Sequence, residues 1–249
     1  VGVSRLKSSV VDKFLGVCKE LSESCSNVRL EDKSIMIYNP LEYAWAPFSE
    51  YVRTCLTPSS KNLLLGMNPG PFGMAQSGVP FGDTVLVSEF IDINMPVSKP
   101  KKEHPKRPID GFDCKRREVS GSRLWGWARE SFKNKDNFFK DYFVWNYCPL
   151  VFMEESGANK TPDKLSPVER EEIFSYCDKA LSSLIDLGEF RTLIGVGKFA
   201  RKRLERLASS EHIVGDILHP SPASPKANKD WTGEVTKSLI ALGAPINSA

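Results

Sequence analysis

Three polar side chains stand where apolar runs of strand length come to an end. Asn68 follows Leu63-Leu64-Leu65-Gly66-Met67, Asn146 closes Tyr142-Phe143-Val144-Trp145, and His219 follows the apolar run 213–218. Two are carboxamides, which are neutral and both donate and accept hydrogen bonds; the third is an imidazole, which can do either near neutral pH. An amide is no strong base, so chemistry built on such groups works by orientation and hydrogen bonding. Asn68 and His219 lie in similar frames, Asn68-Pro69-Gly70-Pro71 and His219-Pro220-Ser221-Pro222, about 150 residues apart. Proline locks φ and continues neither strand nor helix, so both frames are stiff loops. Two such loops suggest rigid walls around something small and polar.

These residues must be positioned by a fold. Val10, Val11, Phe14, Leu15, Cys18 and Leu21 recur at helical spacing. A turn-rich stretch with Pro40, Tyr43, Trp45, Pro47 and Phe48 precedes a short helix at about 49–55, and helices are expected at 83–91 and 122–132. Ser166-Pro167-Val168-Glu169 is a capping box with proline at the first helical position, opening a long helix that ends near Gly188. A strand at 192–196, a basic helix at 198–207, a strand at 213–218 and a closing helix at 231–242 complete the chain. Strands alternating with helices predict an α/β fold with a mostly parallel sheet, a single domain over 1–249 with a short disordered C-terminal tail. Carboxyl ends of parallel strands share one sheet edge, where open α/β sheets bind ligands, so Asn68, Asn146 and His219 could converge there.

Composition narrows the classes. An apolar fraction of 41% with 26% charged residues is that of an ordinary globular protein. A formal charge of +3 is too small to argue for nucleic acid, so local charge must do so. Residues 97–119 hold Lys99, Lys101, Lys102, Lys106, Arg107, Lys115, Arg116 and Arg117 against four acids, with Pro100, Pro105 and Pro108 excluding regular structure. This basic loop reads equally as mobile, solvated surface and as a phosphate-facing segment or nuclear-import signal. Six cysteines without a Cys-x-x-Cys pair read as buried thiols in a reducing compartment. Without ~18 uninterrupted apolar residues or a secretory apolar core, the expectation is a soluble intracellular protein. Neither a P-loop nor a dinucleotide-binding Gly-x-Gly-x-x-Gly is present.

Gly66-Met67-Asn68-Pro69-Gly70-Pro71-Phe72-Gly73-Met74-Ala75-Gln76, then Gly78-Val79-Pro80-Phe81-Gly82, then His219-Pro220-Ser221-Pro222 resembles the uracil-DNA glycosylase superfamily. Within it the pattern is most similar to the single-strand-selective monofunctional (SMUG) family, from about Tyr38 to Trp231. The resemblance implies a three-layer sandwich with a central, mostly parallel four-stranded sheet flanked by helices. It implies a base-excision-repair enzyme that hydrolyses the N-glycosidic bond of uracil and 5-hydroxymethyluracil in single- and double-stranded DNA.

The roles implied by the resemblance suit the residue types. Asn68 holds the attacking water, and His219 donates to uracil O2 as negative charge develops on the leaving base. Asn146 reads O4 and N3–H, a match that cytosine reverses, and Phe81 stacks on the base. Gly70, with the backbone at Met67, leaves room at C5 where thymine-excluding relatives carry a tyrosine. Ser221, Pro222, Ala223, Ser224, Pro225 and Lys226 form the wedge that fills the gap left by the extruded base. Some relatives place arginine where this chain has Ala223, which shifts the wedge role toward Pro225 and Lys226.

Singly, each residue has a plainer reading: Asn68 a turn residue, Asn146 a partner for nearby backbone, Phe81 a core aromatic. The linked motifs carry the functional one. Two alternatives stay open, a mismatch-specific thymine/uracil glycosylase and a non-catalytic nucleic-acid-binding module on the same scaffold. Expected with the main reading are a nuclear monomer, uracil-containing DNA as partner, and neither membrane, metal nor cofactor, since hydrolysis with an amide and an imidazole needs none.

Overall fold

Four apolar runs become the four strands of a wholly parallel sheet. The computed structural model of the protein describes the backbone of residues 2–246 and the side chains of residues 9–246. In chain order the elements are α1 (Gly2–Ser26), β1 (Met36–Tyr38), α2 (Pro40–Tyr43), α3 (Trp45–Cys55), β2 (Asn62–Gly66), α4 (Met74–Ser77) and α5 (Thr84–Leu86). A π-helical turn (Val87–Ile91) follows, then α6 (Val119–Phe132), α7 (Lys135–Asp141), β3 (Tyr142–Asn146), β4 (Val151–Met153) and β5 (Asn159–Lys160). The chain closes with α8 (Pro167–Gly188), β6 (Thr192–Val196), α9 (Lys198–Leu207), β7 (Ile213–Ile217) and α10 (Pro225–Ala241).

The sheet order is β3-β2-β6-β7, with Leu64 opposite Val144 on one side and Ile194 on the other. Every residue of β2, β3 and β6 is buried, which is why these strands are near-continuous apolar runs rather than alternating ones. Alternation still assigns the faces. Phe143 and Trp145 meet Phe14 of α1, and Tyr51 of α3 stacks on Phe143, while Tyr147 reaches Phe174 of α8 and Phe199 of α9. On the other face Tyr142 meets Trp127 of α6 and Phe138 of α7, and Trp127 packs edge-on against Trp231 of α10. Helices therefore cover both faces, the three-layer α/β arrangement that the sequence predicts.

Several local expectations change. The stretch around Pro40 and Pro47 is helical, because both prolines fall in first helical turns, where the missing N–H has no intrahelical partner to lose. Helix α6 starts at Val119, three residues before the predicted start, because the Glu118 carboxylate accepts from the N–H groups of Ser120 and Gly121. Helix α10 starts at Pro225, capped by Ser224, a serine–proline signal passed over in favour of the apolar period. That helix breaks at Asp230 (φ −161°, ψ 79°), whose carboxylate caps Gly233 N at 2.8 Å, so a second segment does start at Trp231. A separate antiparallel sheet, β1-β4-β5, has no counterpart in the sequence reading; strands of two or three residues are too short to show a period.

Residues 97–118 of this segment are irregular, as their prolines require, apart from a 3₁₀ turn (Gly111–Asp113) and one bridge between His104 and Arg107, and Val119 already opens α6. They are nonetheless fastened down. His104 and Ile109 are buried, and the Tyr38 hydroxyl both accepts from His104 N and donates to Arg107 O. Gln76 supplies four more bonds: its NH₂ donates to Pro71 O and Pro108 O, and its carbonyl accepts from Asp110 N and Gly111 N. The glutamine that ends the first motif is thus the rivet between that motif and the basic segment. This fastening departs from the mobile loop expected. The expected C-terminal tail, at 247–249, lies outside the described residues. All six cysteines are free thiols, and all but Cys114 are buried.

Candidate active site

The carboxyl edge of the sheet carries a cavity of about 170 Å³. An apolar cavity of about 150 Å³ holds one benzene ring, so this one is of the size that suits a single six-membered ring. Its wall includes Met67, Asn68 and Gly70 from the loop after β2, Asn146 at the end of β3, Phe81, and His219 beyond β7. The chain thereby brings together the residues named as catalytic and base-binding. The wedge residues do not line it: Ser221 to Lys226 run on from its rim, with Pro222, Ala223, Pro225 and Lys226 exposed.

Asn68 is oriented by its own amide. Its NH₂ donates to Pro69 O and to Leu150 O, both at 3.2 Å, while its carbonyl oxygen has no protein donor among the described residues. With both donors committed, the remaining acceptor is fixed in direction. Tyr147 N donates to Gly66 O and Cys148 N to Met67 O, so the β2 and β3 exits are bonded together beneath the loop.

Asn146 is buried, and among the described residues its NH₂ finds one hydrogen-bond acceptor, the Met74 sulfur at 3.4 Å. A thioether is a weak acceptor, so most of the amide's hydrogen-bonding capacity is left for a ligand. Gly66 faces Asn146 across the sheet, and a Cβ there would lie 2.6 Å from the Phe81 ring and closer still to the Asn146 carbonyl oxygen. The glycine is what lets the aromatic ring and the amide approach each other at the sheet edge.

Phe81 has φ +54°, a left-handed conformation costing a bulky residue about 1–3 kcal/mol. Asp83 holds it there. Asp83 N donates to Phe81 O at 2.8 Å, and the buried Asp83 carboxylate accepts from Arg117 Nε, Ser122 Oγ, Glu118 N and Leu86 N. Burial pushes this carboxyl up, but Arg117, Ser122 and Leu86 outweigh it and hold it below the usual range.

His219 crosses the end of β6 to reach the cavity. Gly197, at φ +92°, makes this passage open, since a Cβ there would already lie 3.2 Å from His219 Cβ. Neither ring nitrogen has a protein partner among the described residues, and burial lowers the imidazole's pKa, favouring the neutral ring. The loop beyond is clamped from α6: the Arg123 guanidinium donates to Pro220 O, Ser221 O and Asn228 Oδ1. Trp231 Nε1 donates to Leu218 O at 2.7 Å on the other side of His219.

Sequence reasoning missed Glu118, Ser120, Asn159 and Thr161, which also line the cavity. Glu118 reads as one of four acids in a basic loop, yet burial raises its pKa and its carboxylate caps α6. Glutamate is not a favoured cap, so no pattern announced it. Asn159 lies on β5, across from Pro69 O at 3.4 Å, on a strand too short to detect. No lysine lines the cavity, and no cluster of three or more metal-ligating side chains occurs among the described residues. No described helix is long and apolar enough to cross a membrane.

No family model matches the chain. Over 239 residues, 94% of the chain, it is 42% identical to the single-strand selective monofunctional uracil DNA glycosylase of Bos taurus, covering 88% of that protein. Proteins of the same description from Mus musculus and Rattus norvegicus are 42% and 43% identical over the same share, with 85% and 86% of their lengths covered. A crystal structure of Pedobacter heparinus SMUG2 matches with a TM-score of 0.62 at 18% identity, covering 91% of this chain and 97% of that one. At that identity the match is one of fold.

Proposed function

The chain belongs to the single-strand selective monofunctional uracil-DNA glycosylase family, and on that premise we propose how Asn68, His219, Asn146, Phe81 and Gly70 divide its reaction among them. The protein is a monofunctional uracil-DNA glycosylase, a hydrolase of N-glycosyl bonds in uracil base excision. A base enzyme of this kind must take the nucleotide out of the stack and read its Watson–Crick edge in a tight pocket.

Asn68 directs its free carbonyl oxygen at a water and aims it at the sugar carbon. The amide contributes position: the glycosidic bond breaks, the sugar gains positive charge, and the water bonds to the sugar carbon and gives up its proton to solvent. The leaving uracil takes the bonding electron pair, and the neutral His219 ring donates an N–H bond to O2, where part of the negative charge collects. Asn146 pairs with O4 and N3–H, and Phe81 stacks on the ring, a contact worth ~1–3 kcal/mol in single-strand binders. Ser221 to Lys226 fill the space the base leaves. The observation that carries this reading is a one-ring cavity whose wall holds an amide with an uncommitted oxygen, a neutral imidazole and a half-buried phenyl ring.

The substrate range includes 5-hydroxymethyluracil. Apart from Gly70 and its two chain neighbours, no described heavy atom lies within 4 Å of where a Gly70 Cβ would sit, so the wall is recessed there. A hydroxymethyl group can replace a water in that recess and reproduce its hydrogen bonds. The enzyme acts as a monomer in the nucleus, where its substrate lies. The test is single-turnover release of free base from uracil-containing single-stranded DNA in EDTA. Release of uracil supports the assignment, and guanine-mispaired thymine as the better substrate would replace it with mismatch-specific chemistry.

A further inference from the structure

Among the eight basic residues of 97–119, two converge on one aromatic ring. Arg116 Cζ lies 4.1 Å from the centre of the Phe72 ring and Arg107 Cζ lies 5.1 Å from it. Phe72 belongs to the motif loop, between Gly70 and Gly73, which both line the base cavity. Arg116 stands two residues before Glu118, which lines it too. The stack therefore sits on the cavity rim, joined on both sides to cavity-wall residues.

The neighbouring arginines have committed donors. Arg117 pairs with the buried Asp83 at 2.7 Å, and Arg123 serves the His219 loop. Arg107 donates to Gly157 O and Lys106 O, and its own carbonyl accepts from Tyr38. Arg116 is different. It is exposed, and among the described residues its guanidinium has no carboxylate or carbonyl partner, only the face of Phe72. A guanidinium held over an aromatic face keeps its N–H donors available, and those donors suit an oxyanion such as a phosphate. Buried anchors at His104, Ile109 and Gln76 hold this part of the segment against the motif loop, which a purely solvating loop would not require.

We propose that the Arg107–Phe72–Arg116 stack is a backbone-contact surface: Arg116 grips a phosphate of the strand whose base enters the cavity, beside the extruded nucleotide. That strand must cross the rim for its base to enter, so rim cations meet it first. The contact shares the loop that carries Asn68, which ties backbone position to water position. This inference rests on the glycosylase reading above, and its test is arranged to fail separately from it.

The test is equilibrium binding of the whole protein to a uracil-free single-stranded oligonucleotide across a salt series. Removing one phosphate contact should make the log–log salt slope shallower by about 0.7 for a single strand. Arg116→Ala is expected to show that change, with several-fold weaker binding at low salt. Arg116→Lys should restore the slope, since it keeps the charge, but bind more weakly than wild type because the planar fork of donors is lost. Lys140→Ala, at the opposite edge of the sheet, should match wild type. A wild-type slope in Arg116→Ala, with unchanged melting behaviour, overturns the proposal, as does an equal loss in Lys140→Ala. Uracil release by the wild type is scored independently. Release with an unaltered Arg116→Ala slope discards the surface alone, whereas a wild type that binds without releasing base discards the catalytic reading and leaves the surface standing.

Discussion

The Asn68 carboxamide is bonded to the carbonyl of Leu150, 82 residues further along the chain, at 3.2 Å. A second bond to Pro69 O uses its remaining N–H. One end of this side chain is structural and the other is free. Asn68→Ala should therefore retain DNA binding and lose base release by at least ~10²-fold, since orientation of the water acts on the barrier. Single-turnover rates with binding measured in parallel decide this; near-normal turnover removes Asn68 from the mechanism.

His219 should act as a neutral donor. Burial holds its pKa below the ordinary value of about 6.5, so the neutral ring prevails at neutral pH and persists to lower pH than in a free imidazole. With a depressed folded pKa, the associated stability is complete above ~6.5 and is lost as pH falls toward the folded value. The rate profile should show no step at 6.5 and decline only at lower pH. His219→Leu should cost about 3 kcal/mol, an oxyanion-type contact, and abolish that acid limb. Bases that leave more readily should suffer less, and equal losses across bases of different acidity would contradict anion stabilisation.

Discrimination at C5 should follow Gly70. Uracil and 5-hydroxymethyluracil should be released well, whereas thymine's methyl would displace a water from the recess without replacing its hydrogen bonds, at a cost of ~1–3 kcal/mol. A side chain at Gly70 meets nothing within 4 Å at its Cβ, so Gly70→Tyr should fold normally. It should abolish release of 5-hydroxymethyluracil and spare some uracil activity. Wild-type removal of thymine as fast as 5-hydroxymethyluracil would leave pocket width as the explanation.

The reaction should pass without a covalent enzyme–DNA intermediate. Among the described residues no lysine lines the cavity, so none of them places an amine to form a Schiff base. Borohydride added during turnover should trap nothing, and a stable protein–DNA adduct would refute hydrolysis by water alone.

Gln76 should matter for stability. Gln76→Ala removes four hydrogen bonds and strands the buried Gly111 N–H. The expected cost is about 2–3 kcal/mol, a fall in Tm of roughly 5–10 °C for a protein of this size. A Tm within about 1 °C of wild type would mean that the basic segment does not depend on this rivet.

Much of the framework was legible because it follows from local rules. Leu63-Leu64-Leu65 and Phe143-Val144-Trp145 are apolar runs of strand length cut off by proline loops, and Ser166-Pro167-Val168-Glu169 is a helix-opening capping box, as the structure bears out. Parallel strands then sent Asn68, Asn146 and His219 to one edge, and the linked motifs named the chemistry. What stayed hidden depends on contacts between residues far apart in the chain. Glu118 and Asn159 on the cavity wall, Gln76 as a rivet and Arg123 as the clamp on the His219 loop occupy positions that no period or cap specifies. Phe72 and Arg116 are 44 positions apart in the sequence. Only packing of the basic segment onto the motif loop brings guanidinium and ring within 4.1 Å, because a side-chain contact of that kind is set by where two backbones run, which local sequence does not encode.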